Sequence, residues 1–198
     1  MPARTPTRLS DRHRSLPRLT PWALAVLLAI VGLLHVLDPR DPWRRFVSEY
    51  GVDHPLLLGA GFIAWALAAA VLAPALWRTG GAAGKGSAGL LVLFAALILV
   101  AASLQIDGPS LEPPSTTEGA IHIASGRAAV AALALALCLG WAATRGWRVA
   151  ALVLLFFLIA VGGPVLASPT AIGLTQRVLV GVELGAMVLL ARSLRSAS

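Results

Sequence analysis

His122 and Arg127 in one long apolar run, and Gln176, Arg177 and Glu183 in another, are out of keeping with their surroundings in this 198-residue chain. Ala, Leu, Val, Ile and Gly fill the sequence on either side of them. An ionisable group at membrane depth costs about 3 kcal/mol or more unless it pairs or faces water, so each marks a candidate functional position. Three chemistries are open to such residues. An arginine facing a cavity binds an anion. A histidine beside a carboxylate serves as a general base or as a metal ligand that activates water. A buried carboxyl opposite an arginine fixes helix register or passes a proton.

The rest of the chain explains why these residues are unusual. It is 58% hydrophobic and 13% charged, against about 25% charged in a soluble domain, which is membrane composition. The net charge of +7 does not point to nucleic acid, because nearly all the basic residues are Arg and most sit at the ends of apolar runs. The abundance of Ala, Arg and Gly beside a single Lys suggests a GC-rich bacterial source. Cys138 is the only cysteine, so no internal disulfide can form.

Residues 1–20 are Arg-rich and punctuated by Pro, and are expected to form a disordered tail. The apolar run after it lacks a small-residue cleavage site and reads as an uncleaved first helix. Six apolar segments fill the transmembrane region 21–195, at about 22–38, 54–77, 87–106, 119–141, 147–166 and 171–194. Each has roughly the 20 residues that a helix needs to cross ~30 Å of hydrocarbon. The breaks are turn chemistry, such as Asp38-Pro39-Arg40-Asp41-Pro42 and the Gly-rich stretch 80–86. Uninterrupted runs of this length exclude barrel strands, so the expected fold is an all-α, six-helix membrane bundle.

Charge then orients it. Arg4, Arg8, Arg12, Arg14 and Arg18, then Arg78 and Lys85, Arg145 and Arg148, and Arg192 and Arg195 all fall on one side. The opposite side holds Arg40, Arg44 and Arg45 among Asp38, Asp41, Glu49 and Asp53. The bias predicts both termini in the cytoplasm of a bacterial inner membrane. Trp22, Trp77, Trp141 and Trp147 fall at the predicted cytoplasmic ends, as an aromatic belt requires.

This topology gathers the polar residues. His122 falls one turn below the outer surface, Arg127 about 12 Å down and Glu183 near mid-membrane. Gln176, Val180 and Glu183 share one helix face, while Gly181 and Gly185 offer a small-residue stripe suited to tight packing against a neighbouring helix. Ser48, Glu49, Tyr50 and Asp107 join them from elsewhere in the chain. The expectation is one extracytoplasmic pocket across which His122 and Gln176 approach each other. Arg177 is its anion contact, His122–Asp107 an orienting pair, and Arg127 or Arg177 the partner of Glu183.

Three segments together resemble the DUF998 family of six-helix bacterial and archaeal membrane proteins. They are Val47-Ser48-Glu49-Tyr50-Gly51, then Ile106-Asp107-Gly108 followed by Thr116-Thr117-Glu118-Gly119-Ala120-Ile121-His122, and Gly173-Leu174-Thr175-Gln176-Arg177. In that family the pattern is Ser-Glu-Tyr near the second helix, Phe-Pro-x-Asp ending the third, Gly-x-x-His opening the fourth and Gln-Arg in the sixth. Here Leu104-Gln105-Ile106-Asp107 keeps the acid and loses the proline. The resemblance implies the fold and the candidate residues, and leaves the activity open.

Each residue also has a plainer role. Arg127, Arg177 and Glu183 suit a structural ion-pair network, His122 a hydrogen bond to a loop carbonyl, and Ser48–Tyr50 a helix cap or an interfacial anchor rather than a lid over the pocket. The leading functional reading is a small-molecule or lipid-headgroup site in a protein whose partners are membrane lipids. The alternatives are an intramembrane hydrolase using His122 and Asp107, or a small proton-coupled transporter using Glu183 and Arg127. A zinc site from His35, His54, His122 and Asp107 has no local ligand motif behind it. No phosphate loop, dinucleotide fingerprint or haem pattern appears, so no cofactor is expected.

Overall fold

The computed structural model describes residues 16–39, 46–104, 114–167 and 172–196, the side chains of 158–172 excepted, and every regular element among them is helical. The α-helices are α1 (Thr20–Leu37), α2 (Pro55–Ala70), α3 (Ala73–Arg78), α4 (Gly81–Ser103), α5 (Thr117–Arg145), α6 (Trp147–Ala167) and α7 (Ile172–Ser196). Short 3₁₀ turns at Leu16–Arg18 and Val47–Gly51 precede α1 and α2. Five spans are long and apolar enough to cross a bilayer: Leu16–Leu37, Pro55–Arg78, Gly81–Ser103, Thr117–Arg145 and Gly173–Ser196. With the 21-residue α6 there are six long helical segments, the build of a polytopic membrane protein.

Two elements differ from expectation. The second segment is not continuous but breaks between α2 and α3. Pro74 causes the break, since it has no N–H for the Ala70 carbonyl and its ring crowds that carbonyl. Leu72 N instead donates back to Ala69 O at 3.0 Å, a tighter turn than the α-helix. The third segment starts earlier than the glycines suggest, at Gly81 rather than Ser87. Gly80 and Gly81 make the turn with φ of 75° and 66°, and the helix then runs through Gly84 and Gly86. Gly84 is needed there, because a Cβ would lie 2.6 Å from Leu76 O and also against Thr79 Oγ1.

A few polar bonds hold the helices in register within otherwise apolar contacts. Antiparallel α4 and α5 are joined near one end by Ser87 Oγ donating to Ala136 O at 2.7 Å, and near the other by His122 Nδ1 and Ala101 O at 2.8 Å. Thr20 Oγ1 donates to Ala68 O at 3.3 Å, tying α1 to α2, and Gly61 lets Ile30 and Leu27 of α1 approach closely. Arg145 Nε donates to Ser193 Oγ at 3.1 Å, linking α5 to α7. Inter-helix bonds of this kind contribute about 0.6–2 kcal/mol each in a membrane. Leu34, Leu72, Leu91, Phe94, Leu133, Leu137 and Met187 fill the core between them.

The bundle thus has two unlike ends. The end that closes α1 and opens α2, α5 and α7 carries His122 and the Val47–Gly51 turn. The opposite end carries Trp22, Trp77, Trp141 and Trp147, together with Arg145. The Gly84 contact yields a stability test within one helix. Gly84→Ala is expected to lower thermal stability by about 1–3 kcal/mol through overpacking. Gly89→Ala in the same helix, where a Cβ meets nothing within 4 Å, is expected to leave stability unchanged or raised. Melting temperatures of the two variants in detergent check the difference.

Candidate functional site

The first turns of α7 organise the His122 end. Gln176 Oε1 accepts a hydrogen bond from Val47 N at 2.7 Å and so fastens the 3₁₀ turn across the bundle. That turn buries its own side chains: Glu49 is 2% exposed and accepts from Phe46 N at 3.3 Å, and Tyr50 is fully buried. The Ser48-Glu49-Tyr50 segment is therefore a plug set into this end of the bundle.

Arg177 reaches α1. Its Nε and Nη2 both lie 3.2 Å from His35 Nε2, and its Nη1 donates to Gly173 O at 3.1 Å. His35 Nδ1 faces Val31 O at 2.7 Å. A carbonyl can only accept, so Nδ1 carries the hydrogen and Nε2 presents its lone pair to the guanidinium. The Tyr50 ring packs against the imidazole with centroids 5.1 Å apart. Arg177 is thus engaged by protein groups and does not supply the open anion contact expected of it.

His122 is 6% exposed and also has its tautomer fixed. Nδ1 lies 2.8 Å from Ala101 O and 3.1 Å from Leu104 O, carbonyls at the end of α4. Nδ1 therefore donates, and Nε2 keeps a free lone pair with no protein partner among the described residues. The plain reading of His122, a bond to terminal carbonyls, holds for one ring nitrogen and leaves the other available.

A cavity of about 110 Å³ opens beside it, lined by Ser48, His122, Arg127 and Gln176 with Phe62 and Trp65. His122 and Gln176 do share one cavity, as the topology suggested. Arg127 is exposed and makes no hydrogen bond or ion pair among the described residues. A second cavity of about 200 Å³ lies between α1, α2 and α7, with His35, Arg177 and Gln176 at its polar end. Ser48, Phe62, Trp65, Gln176 and Val180 line both cavities, so they are neighbours.

Other expected partnerships are absent. Glu183 is fully buried, and neither carboxylate oxygen has a hydrogen-bond partner. It pairs with neither Arg127 nor Arg177 among the described residues, so the ion-pair network and the Glu183–Arg127 proton switch are not assembled. Gly126 and Val130 line the first cavity beside Gln176 and Val180, and Gly140 lies under Leu190. That parallel register of α5 and α7 puts Glu183 level with buried Leu133, which offers no polar group. Among the described residues a Cβ on Gly181 or Gly185 meets nothing within 4 Å, so neither makes the close contact expected of a packing stripe. They line a groove between α6 and α7 instead.

The His35, His54, His122 and Asp107 metal set is not supported either. Both His35 nitrogens are occupied, and no three His, Cys, Asp or Glu side chains cluster among the described residues. Asp107 itself, with Gln105, lies outside the described residues, as do Arg40, Arg44, Arg45 and the tail arginines before Arg18. Two roles escaped the sequence reading, which placed His35 only in a zinc set. His35 holds Arg177, and Trp65, 5% exposed, has a buried indole N–H without an acceptor. Trp65 did carry a signal: it lies in mid-segment, whereas Trp22, Trp77, Trp141 and Trp147 mark segment ends.

Residues 21–193 match the DUF998 family, described as a protein of unknown function, and the chain belongs to it. No curated protein and no solved structure matches the chain.

These contacts separate Arg177, which is half-buried, from the fully buried Glu183 of the same helix. Arg177→Ala is expected to cost about 1–3 kcal/mol, because it removes the guanidinium that ties α7 to His35 of α1. Glu183→Leu removes a carboxyl that has no partner to lose, and is expected to leave thermal stability unchanged or higher. Urea or thermal unfolding of both variants checks the contrast, and a large loss in Glu183→Leu would contradict it.

Proposed function

We propose that this protein is a six-span inner-membrane protein with both termini in the cytoplasm, and that its Arg127 cavity binds a small anionic group on the extracytoplasmic side. The orientation is supported by the arginine bias and by the four tryptophans gathered at the Arg145 end. Under it, the cavity lies in the outer half of the membrane.

One observation carries the binding proposal. Arg127 lines a cavity with no carboxylate beside it among the described residues, while the guanidinium of Arg177 is held by His35 and Gly173. A guanidinium cannot be discharged and binds oxyanions in a forked geometry. Ser48 and Gln176 add polar edges, and Phe62 and Trp65 exclude water from the opposite wall. The volume suits a group as small as a phosphate or a carboxylate.

A second reading is favoured by the free Nε2 of His122 beside Ser48 in the same cavity. There His122 is the general base of an intramembrane hydrolase, without a metal. Fatty-acid release from an ester lipid by wild type, lost in His122→Gln, would identify it. The transporter reading draws no support from the geometry, since Glu183 and Arg127 make no contact.

Calorimetric titration with inorganic phosphate, on protein in phosphatidylcholine nanodiscs, tests the binding proposal. A charge-assisted contact contributes ~1.5–3 kcal/mol, so Arg127→Ala is expected to weaken binding by about 10- to 100-fold. Unchanged phosphate binding in Arg127→Ala would overturn it.

A further inference from the structure

We infer that the anionic group belongs to a lipid of the surrounding bilayer, and that the second cavity receives one of its hydrocarbon chains. The inference rests on the proposal that Arg127 binds an anion. The second cavity is the larger of the two neighbours, and below its polar end the wall is Leu27, Ile30, Val31, Phe62 and Leu184. No charged side chain follows that stretch downward among its lining residues. A soluble anion has no use for such a wall, whereas an acyl or prenyl chain matches it.

Access fits the same occupant. Leu28 of α1 is 57% exposed, and Gly181 of α7 is exposed with open space where a side chain would be. Both line the second cavity, so it opens sideways between α1 and α7, where lipid tails lie. A ligand arriving from water would instead enter past the Val47–Gly51 plug.

Charge and hydrogen bonding then fix which part of the lipid goes where. The shared wall of Ser48, Trp65 and Gln176 joins the apolar slot to the Arg127 cavity. A headgroup on Arg127 and a chain in the slot meet at Trp65. Its indole N–H is buried and lacks an acceptor. An unsatisfied buried donor is costly, and an oxygen at the junction of headgroup and chain is an acceptor of the right kind. His122, whose Nδ1 is held by Ala101 O, also lines the headgroup cavity.

The test compares two probes on protein in phosphatidylcholine nanodiscs: dodecyl phosphate, which carries a chain, and inorganic phosphate, which does not. Binding of each is read by calorimetry in wild type, Gly181→Leu, Leu28→Trp and Arg127→Ala, with melting temperature as a fold check. Gly181→Leu puts a side chain into the slot where nothing stands within 4 Å, and Leu28→Trp narrows it from the facing helix. Expected is a loss of at least tenfold for dodecyl phosphate in either slot variant, with inorganic phosphate unchanged, and loss of both probes in Arg127→Ala. If folded slot variants bind both probes like wild type while Arg127→Ala loses them, the chain inference fails and the anion site stands. If Arg127→Ala binds both like wild type, the anion site fails and the chain inference falls with it.

Discussion

Two consecutive side chains at the start of α7 hold the His122 end of the bundle together. Gln176 grips the backbone of the Val47–Gly51 turn, and Arg177 grips His35 of α1. In hydrocarbon no water competes for these groups, so each bond that is made is hard to replace. The chain of constraint continues through His35, whose other nitrogen is tied to Val31 O. A helix, a neighbouring helix and a connecting turn are thereby fixed relative to one another. All three parts line the second cavity, and the turn and α7 also line the first, so both depend on the clamp for their shape.

The α4–α5 pair solves a different problem. The last carbonyls of a helix lack the full set of intrahelical donors, and here the His122 ring bonds to Ala101 O and to Leu104 O just beyond the helix end. Ser87 performs a similar service on the Ala136 carbonyl toward the opposite end. Between these two polar staples the contact is Ala, Leu and Phe packing. Glu183 breaks the pattern as a fully buried carboxyl with no hydrogen-bond partner among the described residues. Stability gives no reason to keep an acid there, which marks it as retained for something else or simply tolerated.

Much of this organisation was legible in the sequence, because the bilayer imposes harsh and simple rules. Segment length and turn residues located the long helices, and the helix order puts His122 and Gln176 at one end of the bundle. What was not legible depends on side-chain direction or close approach. Gly80–Gly86 reads as a loop by composition, yet Gly84 is helical because only a missing Cβ fits beside Leu76 O. Pro74 was visible, but a run of apolar residues hides a break that keeps the chain heading the same way. Gly181 and Gly185 have the spacing of a packing stripe, yet among the described residues nothing stands within 4 Å of a Cβ on either. Arg177 and Glu183 lie near each other in sequence but diverge around the helix, so the arginine finds a histidine and the acid finds nothing. The partner of Arg177 was obscured because His35 stands at the end of a helix that carries no other sign of function.

Trp65 makes the site observable in its own right. Among the described residues it is the one tryptophan in mid-bundle, lining both cavities and stacked edge-on against Phe94 with centroids 5.3 Å apart. Trp22, Trp77, Trp141 and Trp147 all stand at the far end of the molecule. Indole emission is sensitive to polarity and to hydrogen bonding at the ring nitrogen, and Trp65 has that nitrogen buried and unengaged. The fold has therefore placed an intrinsic optical reporter on the wall between the two cavities, spatially separated from the tryptophans that would report on the membrane surface.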